Sequence, residues 1–159
     1  MDDHKILETI KADILQVALD DIAFEGFTDA VVNKAAQSAG IEPTELALAF
    51  PRGGIDLAIY FVRHGVDQMQ DKLASLDIES MKIRERIKTA VQIRLEVDAD
   101  HKEIARRAFN MLALPGNTKD AGVCLAYTVD VMWRSTGDKS TDFNFYTKRA
   151  TLAAVYSAT

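Results

Sequence analysis

The stretch FTDAVVNKAAQSAGIEPTELALAFPRGG, residues 27–54, decides the fold. Thr28 stands where a helix N-cap is wanted, and Val31, Val32, Ala35, Ala36 and Ala39 follow at helical spacing. Gly40 ends that helix, since glycine enters the left-handed conformation of a C-terminal turn without steric cost. Pro43 suits the first turn of a short third helix carrying Leu46, Leu48 and Phe50, and Pro51, Gly53 and Gly54 break it. The alanines let two helices approach closely, while Ile41 and Leu46 fill the small core of a helix-turn-helix-like unit.

Outward from this stretch the pattern stays helical. Ile6, Ile10, Ile14, Val17 and Ala18 mark a first helix from about Asp3 to Ile22, stopping near Gly26. After Gly54, a longer helix carries Ile55, Ala58, Phe61, Val62, Gly65 and Met69. Ser80 is read as opening another, with Ile83, Ile87, Ala90 and Val91 on one side. Ile104, Ala105, Ala108, Met111 and Leu112 share a face of the next, which Pro115 and Gly116 end. The last two are expected over residues 123–133 and 141–157. No period-two strand, repeat or low-complexity linker interrupts them. The expectation is an all-α bundle of about eight helices. Residues 1–54 form its helix-turn-helix-like subdomain and residues 55–159 a second bundle, in one compact unit overall.

Composition narrows the function classes. The 159 residues are 48% hydrophobic and 27% charged. At that length folding buries roughly 70% of the unfolded surface, enough for a core without disulfides or metal. A net charge of −5 excludes a globally basic nucleic-acid binder. The single cysteine, Cys124, excludes an internal disulfide framework. No apolar run approaches the roughly 18 residues of a transmembrane helix. The acidic start of the chain resembles neither a secretory signal nor a mitochondrial presequence. The expected location is cytoplasmic, in a bacterial-type chain.

Charge is spread unevenly. Residues 1–60 hold eleven Asp and Glu against four Lys and Arg, and residues 61–159 hold thirteen against fifteen. From Ile41 to Phe50 there is no Lys or Arg, and Glu42 and Glu45 are acidic. A helix that reads DNA needs cations for phosphates and Arg, Asn or Gln for base edges. The expectation is a scaffold that keeps the packing without the DNA chemistry. The alternative is a ligand-responsive transcription regulator with Lys34 and Arg52 as its phosphate contacts.

The catalytic inventory is thin. Of His4, His64 and His101, only His101 has a carboxylate three residues before it, Asp98. The paired Glu-x-x-His ligands of a di-iron bundle are missing, as are the usual zinc, phosphate-loop and dinucleotide motifs. Cys124 lies in an apolar run and reads as a core residue. No catalytic residue and no metal ligand is assigned. An enzyme using His101 and Asp98 is the weakest of the alternatives.

The last thirty residues are the informative ones. Five of the twelve aromatic residues fall there: Trp133, Phe143, Phe145, Tyr146 and Tyr156. Gly137 ends one helix, and Ser140 or Thr141 is placed to cap the next, with Asp142 in its first turn. Phe143, Tyr146 or Thr147, Ala150 and Ala154 share one face. Phe145, Leu152 and Tyr156 lie on another flank. Phe143 and Phe145 sit about 200° apart on a helix, so at least one is expected at the surface or in a cavity. Trp133 reads as a core residue whose indole N–H finds a carbonyl.

Two resemblances follow from these residues. Phe27-Thr28, Ala35-Ala36, Ala39-Gly40-Ile41, Leu46 and Phe50 resemble the helix-turn-helix of TetR-type repressors. The segment from Asp130 through Met132-Trp133, then Gly137-Asp138, then Ser140-Thr141-Asp142-Phe143-Asn144, and on through Tyr146-Thr147-Lys148-Arg149-Ala150 to Tyr156, resembles the ubiquinone-biosynthesis accessory family, the ninth of the coenzyme Q biosynthesis proteins. Residues 24–29, 50–57 and 112–117 agree with the same family, in the same order.

That resemblance implies a TetR-like, non-enzymatic, lipid-binding homodimer without a nucleic-acid partner and with no cofactor. Its ligand would be an isoprenoid, quinone or phospholipid. It would associate peripherally with the membrane surface and present quinone intermediates to the di-iron demethoxyubiquinone hydroxylase. The lipid or partner patch carried over is Met132, Phe145 and Tyr146, with Trp133 beside it. Phe145 departs from the family's usual Trp and loses the indole donor. Leu152, Val155 and Tyr156 are expected to rim a cavity or form a dimer flank. The family's C-terminal amphipathic segment is expected beyond Thr159 and is missing from this chain. A lipid tail gains about 0.8 kcal/mol per buried CH₂. Ala105, Ala108, Ala126, Ala150, Ala153 and Ala154 either leave room for such a tail or serve tight helix packing.

Overall fold

The computed structural model describes residues 2–139 and 143–159. Its described elements are all helical: α1 (Asp3–Glu25), α2 (Asp29–Ser38), α3 (Pro43–Ala49), α4 (Gly54–Ala74), α5 (Ile83–Asp100), α6 (Lys102–Leu112), a single 3₁₀ turn (Pro115–Asn117), α7 (Thr118–Ser135) and α8 (Phe143–Ser157). The fold is all-α. No helix among the described residues is long and apolar enough to cross a membrane.

Most helix ends fall where the residues place them. Thr28 Oγ1 accepts from the Val31 N–H at 3.2 Å, the expected N-cap of α2. At its other end Gly40 has φ +71°, the Ile41 N–H reaches the Ala36 carbonyl, and the Gly40 N–H reaches that of Gln37. That pair of bonds is a Schellman closure. α5 starts at Ile83 rather than Ser80. The Ser80 hydroxyl is spent on a turn, donating to the Asp77 carbonyl at 3.0 Å, and Glu85 accepts from the Lys82 N–H at 3.1 Å. α7 starts earlier than its apolar run, at Thr118, after Asn117 Nδ2 has donated to the Met111 carbonyl at the end of α6. The proposed caps of α8, Ser140 and Thr141, and its first-turn acid, Asp142, lie outside the described residues.

The chain forms two compact units. The first holds residues 1–62 and 102–118, so residues 1–54 stay together and are joined by the first part of α4 and by α6. Ile10, Ile14, Ala18 and Ile22 of α1 are buried, as are Val31, Val32, Ala35 and Ala36 of α2. Two features beyond apolar spacing shape this unit. Gly54 lacks the Cβ that would lie 2.0 Å from the Phe27 carbonyl oxygen, and its N–H donates to Asp29 Oδ1 at 2.9 Å. Arg107 of α6 donates to the Ala23 and Phe24 carbonyls at 2.9 and 2.8 Å, satisfying groups that the end of α1 leaves open.

The second unit holds residues 63–101 and 119–159. Val66, Met69 and Leu73 of α4 pack with Ala90, Ile93 and Val97 of α5, Val129 and Met132 of α7, and Leu152 of α8. A charged pair sits within this apolar unit. Arg94 is fully buried and ion-pairs with Asp98 one turn on. Its guanidinium occupies the space beside Gly65, where a Cβ would come within 3.0 Å of it. Burial pushes the Asp98 carboxyl up from its ordinary value, and the Arg94 charge holds it back. Burial likewise raises the Tyr156 phenol, which feels the charges of Arg94 and Asp98.

Candidate functional site

The aromatic cluster of the last thirty residues takes its shape from how α7 ends. Gly137 has φ +88°, its N–H reaches the Arg134 carbonyl at 3.0 Å, and the Asp138 N–H reaches that of Trp133 at 3.1 Å. This second Schellman closure delivers Asp138 just past the helix end. Arg86 of α5 braces the same turn by donating to the Thr136 carbonyl at 3.1 Å.

α8 is fastened to this end of α7 through its cations. Arg149 Nε donates to Asp130 Oδ1 at 2.8 Å, and Arg149 Nη1 to Asp138 Oδ2 at 3.2 Å. Lys148 Nζ pairs with Asp138 Oδ1 at 2.8 Å and stands 5.4 Å from the Trp133 ring centroid. The Trp133 indole N–H donates to the Lys148 carbonyl at 3.2 Å, so the tryptophan finds the expected carbonyl. Asp130 also accepts from Arg134 at 2.7 Å. Asp138 and Arg149 are mostly withdrawn from solvent, where such charge-assisted bonds are stronger than at the surface.

The aromatic pair rests on that lattice. The Arg149 guanidinium carbon lies 3.6 Å from the Phe145 ring centroid. Phe145 in turn meets Tyr146 edge to face, with centroids 5.1 Å apart and planes at 76°. Phe145 is half-buried, whereas Tyr146 is 70% exposed. A tyrosine so exposed, yet held against a ring, offers a partner a large rigid surface at low entropic cost.

The other expected site residues separate into inside and outside. Met132 is fully buried in the core of the second unit and presents no surface there. Trp133 is half-buried against the same core. Leu152 is buried and Tyr156 packs beside it, while Val155 is exposed. The flank of Phe145, Leu152 and Tyr156 therefore faces inward, and that of Tyr146, Ala150 and Ala154 faces solvent. The side chain of Phe143 lies outside the described residues. The six alanines do not line one cavity within either unit. Ala105 and Ala108 are buried in the first, whereas Ala126, Ala150 and Ala154 are exposed in the second. Asp130, Asp138, Lys148 and Arg149 were not singled out as site residues, though Lys and Arg side by side between aromatic positions are a visible signal.

The residues weighed for other activities are committed elsewhere. Lys34 pairs with Asp21 at 2.8 Å, and the hydrogen bond it donates to the Asp21 carboxylate raises its pKa. Arg52 pairs with Asp56 at 2.7 Å. α3 shows solvent Pro43, Thr44, Ala47 and Leu48, none of them cationic. Asp98 is engaged by Arg94, and His101 is exposed at the C-cap of α5. His64 sits 3.1 Å from Gln68 Nε2. Cys124 is buried, as expected, and burial raises its thiol pKa, which keeps it in the unreactive form.

Residues 119–159, which hold α7 and α8, match the model of the COQ9 family. The human mitochondrial ubiquinone biosynthesis protein COQ9 is 33% identical over 165 residues, which cover 99% of this chain and 52% of the human protein. The Schizosaccharomyces pombe protein of the same name is 30% identical over 154 residues, 93% of this chain and 58% of its own. A probable ubiquinone biosynthesis protein coq9 of Dictyostelium discoideum is 28% identical over 155 residues, 94% and 50%. All three are named as mitochondrial. The chain spans about half the length of the curated relatives it matches. Nearly all of the chain is thus similar to part of the COQ9 ubiquinone biosynthesis proteins, and the match to the family model falls on the two helices that carry the aromatic pair.

Proposed function

We propose that this chain serves ubiquinone biosynthesis as a non-enzymatic, lipid-binding accessory protein that presents quinone intermediates to the di-iron demethoxyubiquinone hydroxylase. The observation that carries this reading is the Phe145–Tyr146 pair, held at the surface of α8 within the segment that matches the family model. Relatives named as ubiquinone biosynthesis proteins support the pathway. Tyr146 and Phe145 form the partner or membrane patch, and Val155 belongs to the flank on which a second copy docks. Met132 belongs to the core of the second unit and is not part of the patch. The protein works at the membrane surface as a peripheral homodimer, and its ligand is an isoprenoid, quinone or phospholipid rather than a cofactor. The competing regulator reading finds little support, because Lys34 and Arg52 already pair with carboxylates and α3 exposes an uncharged face.

Organic extraction of the purified protein, followed by mass spectrometry, tests the lipid-binding part. The expected result is a stoichiometric isoprenoid, quinone or phospholipid. An extract with none, together with no uptake of quinone from vesicles, contradicts it.

A further inference from the structure

We infer that Arg149 is the positioning residue of the aromatic patch: its guanidinium, gripped edge-on by Asp130 and Asp138, is the platform on which Phe145 lies, and Tyr146 is set against the Phe145 ring. The functional consequence rests on the accessory reading, whereas the geometry stands without it.

Three contacts of one side chain carry the inference. Arg149 Nε and Nη1 are engaged by carboxylates from two different places, Asp130 on α7 and Asp138 just after it. Two such contacts fix the plane of the guanidinium, which one would leave free to swing. The third contact is with Phe145. Its ring centroid is 3.6 Å from the guanidinium carbon. An approach to the ring edge would hold the centers apart by roughly 5 Å, the ring radius plus a carbon–carbon contact. Only a face-on approach gives the observed distance, and there the ring quadrupole attracts the cation. Arg149 Nη1 also lies 3.4 Å from the Phe145 carbonyl, one helical turn back. Phe145 is thus held by both its ring and its backbone, and it is the ring that meets Tyr146 at 76°.

The chemistry explains why the residue is arginine. A lysine keeps one positive charge, but it cannot bond two carboxylates edge-on while laying a flat face on a ring. Phe145 would then lose its platform with the charge balance unchanged. The neighbour, Lys148, provides the contrast: it meets Asp138 as a point charge, and its backbone carbonyl serves Trp133.

The test uses the full chain labelled with 3-fluorotyrosine, whose four tyrosines give four ¹⁹F signals. Tyr146→Phe identifies the signal of Tyr146. In Arg149→Lys that signal is expected to move toward its position in the unfolded protein, while those of Tyr60 and Tyr127 stay and the thermal melt is retained. Rotation of Tyr146 independent of Arg149 would leave the signal where it is, and that result overturns the inference. Should Arg149→Lys fail to fold, Asp138→Ala carries the same test, because it removes one of the two grips on the guanidinium. An unmoved Tyr146 signal there overturns the inference equally. A second arm reads capture by immobilised di-iron hydroxylase. Wild-type capture with at least tenfold weaker capture of Arg149→Lys supports the positioning role. No capture of the wild type, with the ¹⁹F shift present, sinks the accessory reading and leaves the positioning geometry standing.

Discussion

Two helix ends in this molecule close in the same way and lead to different surfaces. At Gly40 and at Gly137 a left-handed glycine closes a Schellman turn, and a new helix follows. Beyond Gly40, α3 exposes Pro43, Thr44, Ala47 and Leu48, and the nearby cations are bound to carboxylates. Beyond Gly137, α8 brings two cations and two aromatic rings into one lattice with Asp130, Asp138 and Trp133. The backbone device is shared, so function is decided by what the following helix carries. A helix-turn-helix-like unit can be stable and well packed with no chemistry suited to nucleic acid, and the informative surface lies on α8.

Variants that break this comparison can be ranked by expected effect. The largest is Arg94→Leu, beneath α8. Removing the cation strands Asp98, a carboxylate mostly withdrawn from solvent, at a cost of up to about 3 kcal/mol near neutral pH. The sign with pH is defined. A folded-state pKa raised by burial makes folding favour the protonated acid, so that contribution is present below the ordinary carboxylate pKa and is lost as pH rises through the raised one. Without Arg94 the upward shift grows, so the variant's deficit in Tm should narrow as the pH falls. A deficit independent of pH would show that Asp98 does not report on the pair.

Next comes Gly54→Ala, in the first unit. Its Cβ would clash with the Phe27 backbone oxygen, and overpacking of this kind costs about 3 kcal/mol or somewhat less. Denaturant titration checks it, and a neutral result would mean that α4 can shift away from Phe27. Gly40→Ala and Gly137→Ala come third, at about 1–2 kcal/mol each from the left-handed backbone. They sharpen the comparison. Nothing lies within 4 Å of a Cβ at Gly40, whereas one at Gly137 meets Arg86. Both should lower Tm alike, but only Gly137→Ala should weaken hydroxylase capture, since it disturbs the delivery of Asp138. The smallest effects on stability, within about 0.5 kcal/mol, belong to Leu48→Ala and Tyr146→Ala, both on exposed positions.

How much of this was legible in the sequence follows the range of the interactions. Thr28, Gly40 and Gly137 act within a turn of themselves, and their roles can be read directly from residue type. Apolar spacing assigned the helices for the same reason. The start of α5 differs from its expected place because Ser80, a good cap by type, is captured by the local turn at Asp77. Arg107, which closes α1 from more than eighty residues away, has no local signature. Neither has the burial of Arg94, since an arginine amid helical polar residues reads as a surface residue. At the site, the aromatic enrichment pointed to α8, but a one-dimensional pattern could not tell which flank faces inward. Met132 follows an apolar helix face into the core, whereas Tyr146 stands outside it. The pairing of Arg149 with two carboxylates depends on the turn at Gly137, and became visible only with Asp138 in place.

The central claim is that α8, and not α3, carries the surface that acts. It is tested most directly by measuring the affinity of the purified chain for the immobilised di-iron demethoxyubiquinone hydroxylase, comparing Tyr146→Ala with Leu48→Ala. Both residues are apolar or aromatic, both are at least 70% exposed, and neither change should affect folding. The account predicts that Tyr146→Ala weakens binding by at least about tenfold, the scale of an aromatic anchor in an interface, while Leu48→Ala binds like the wild type. Undiminished binding of Tyr146→Ala, or a loss confined to Leu48→Ala, would contradict it.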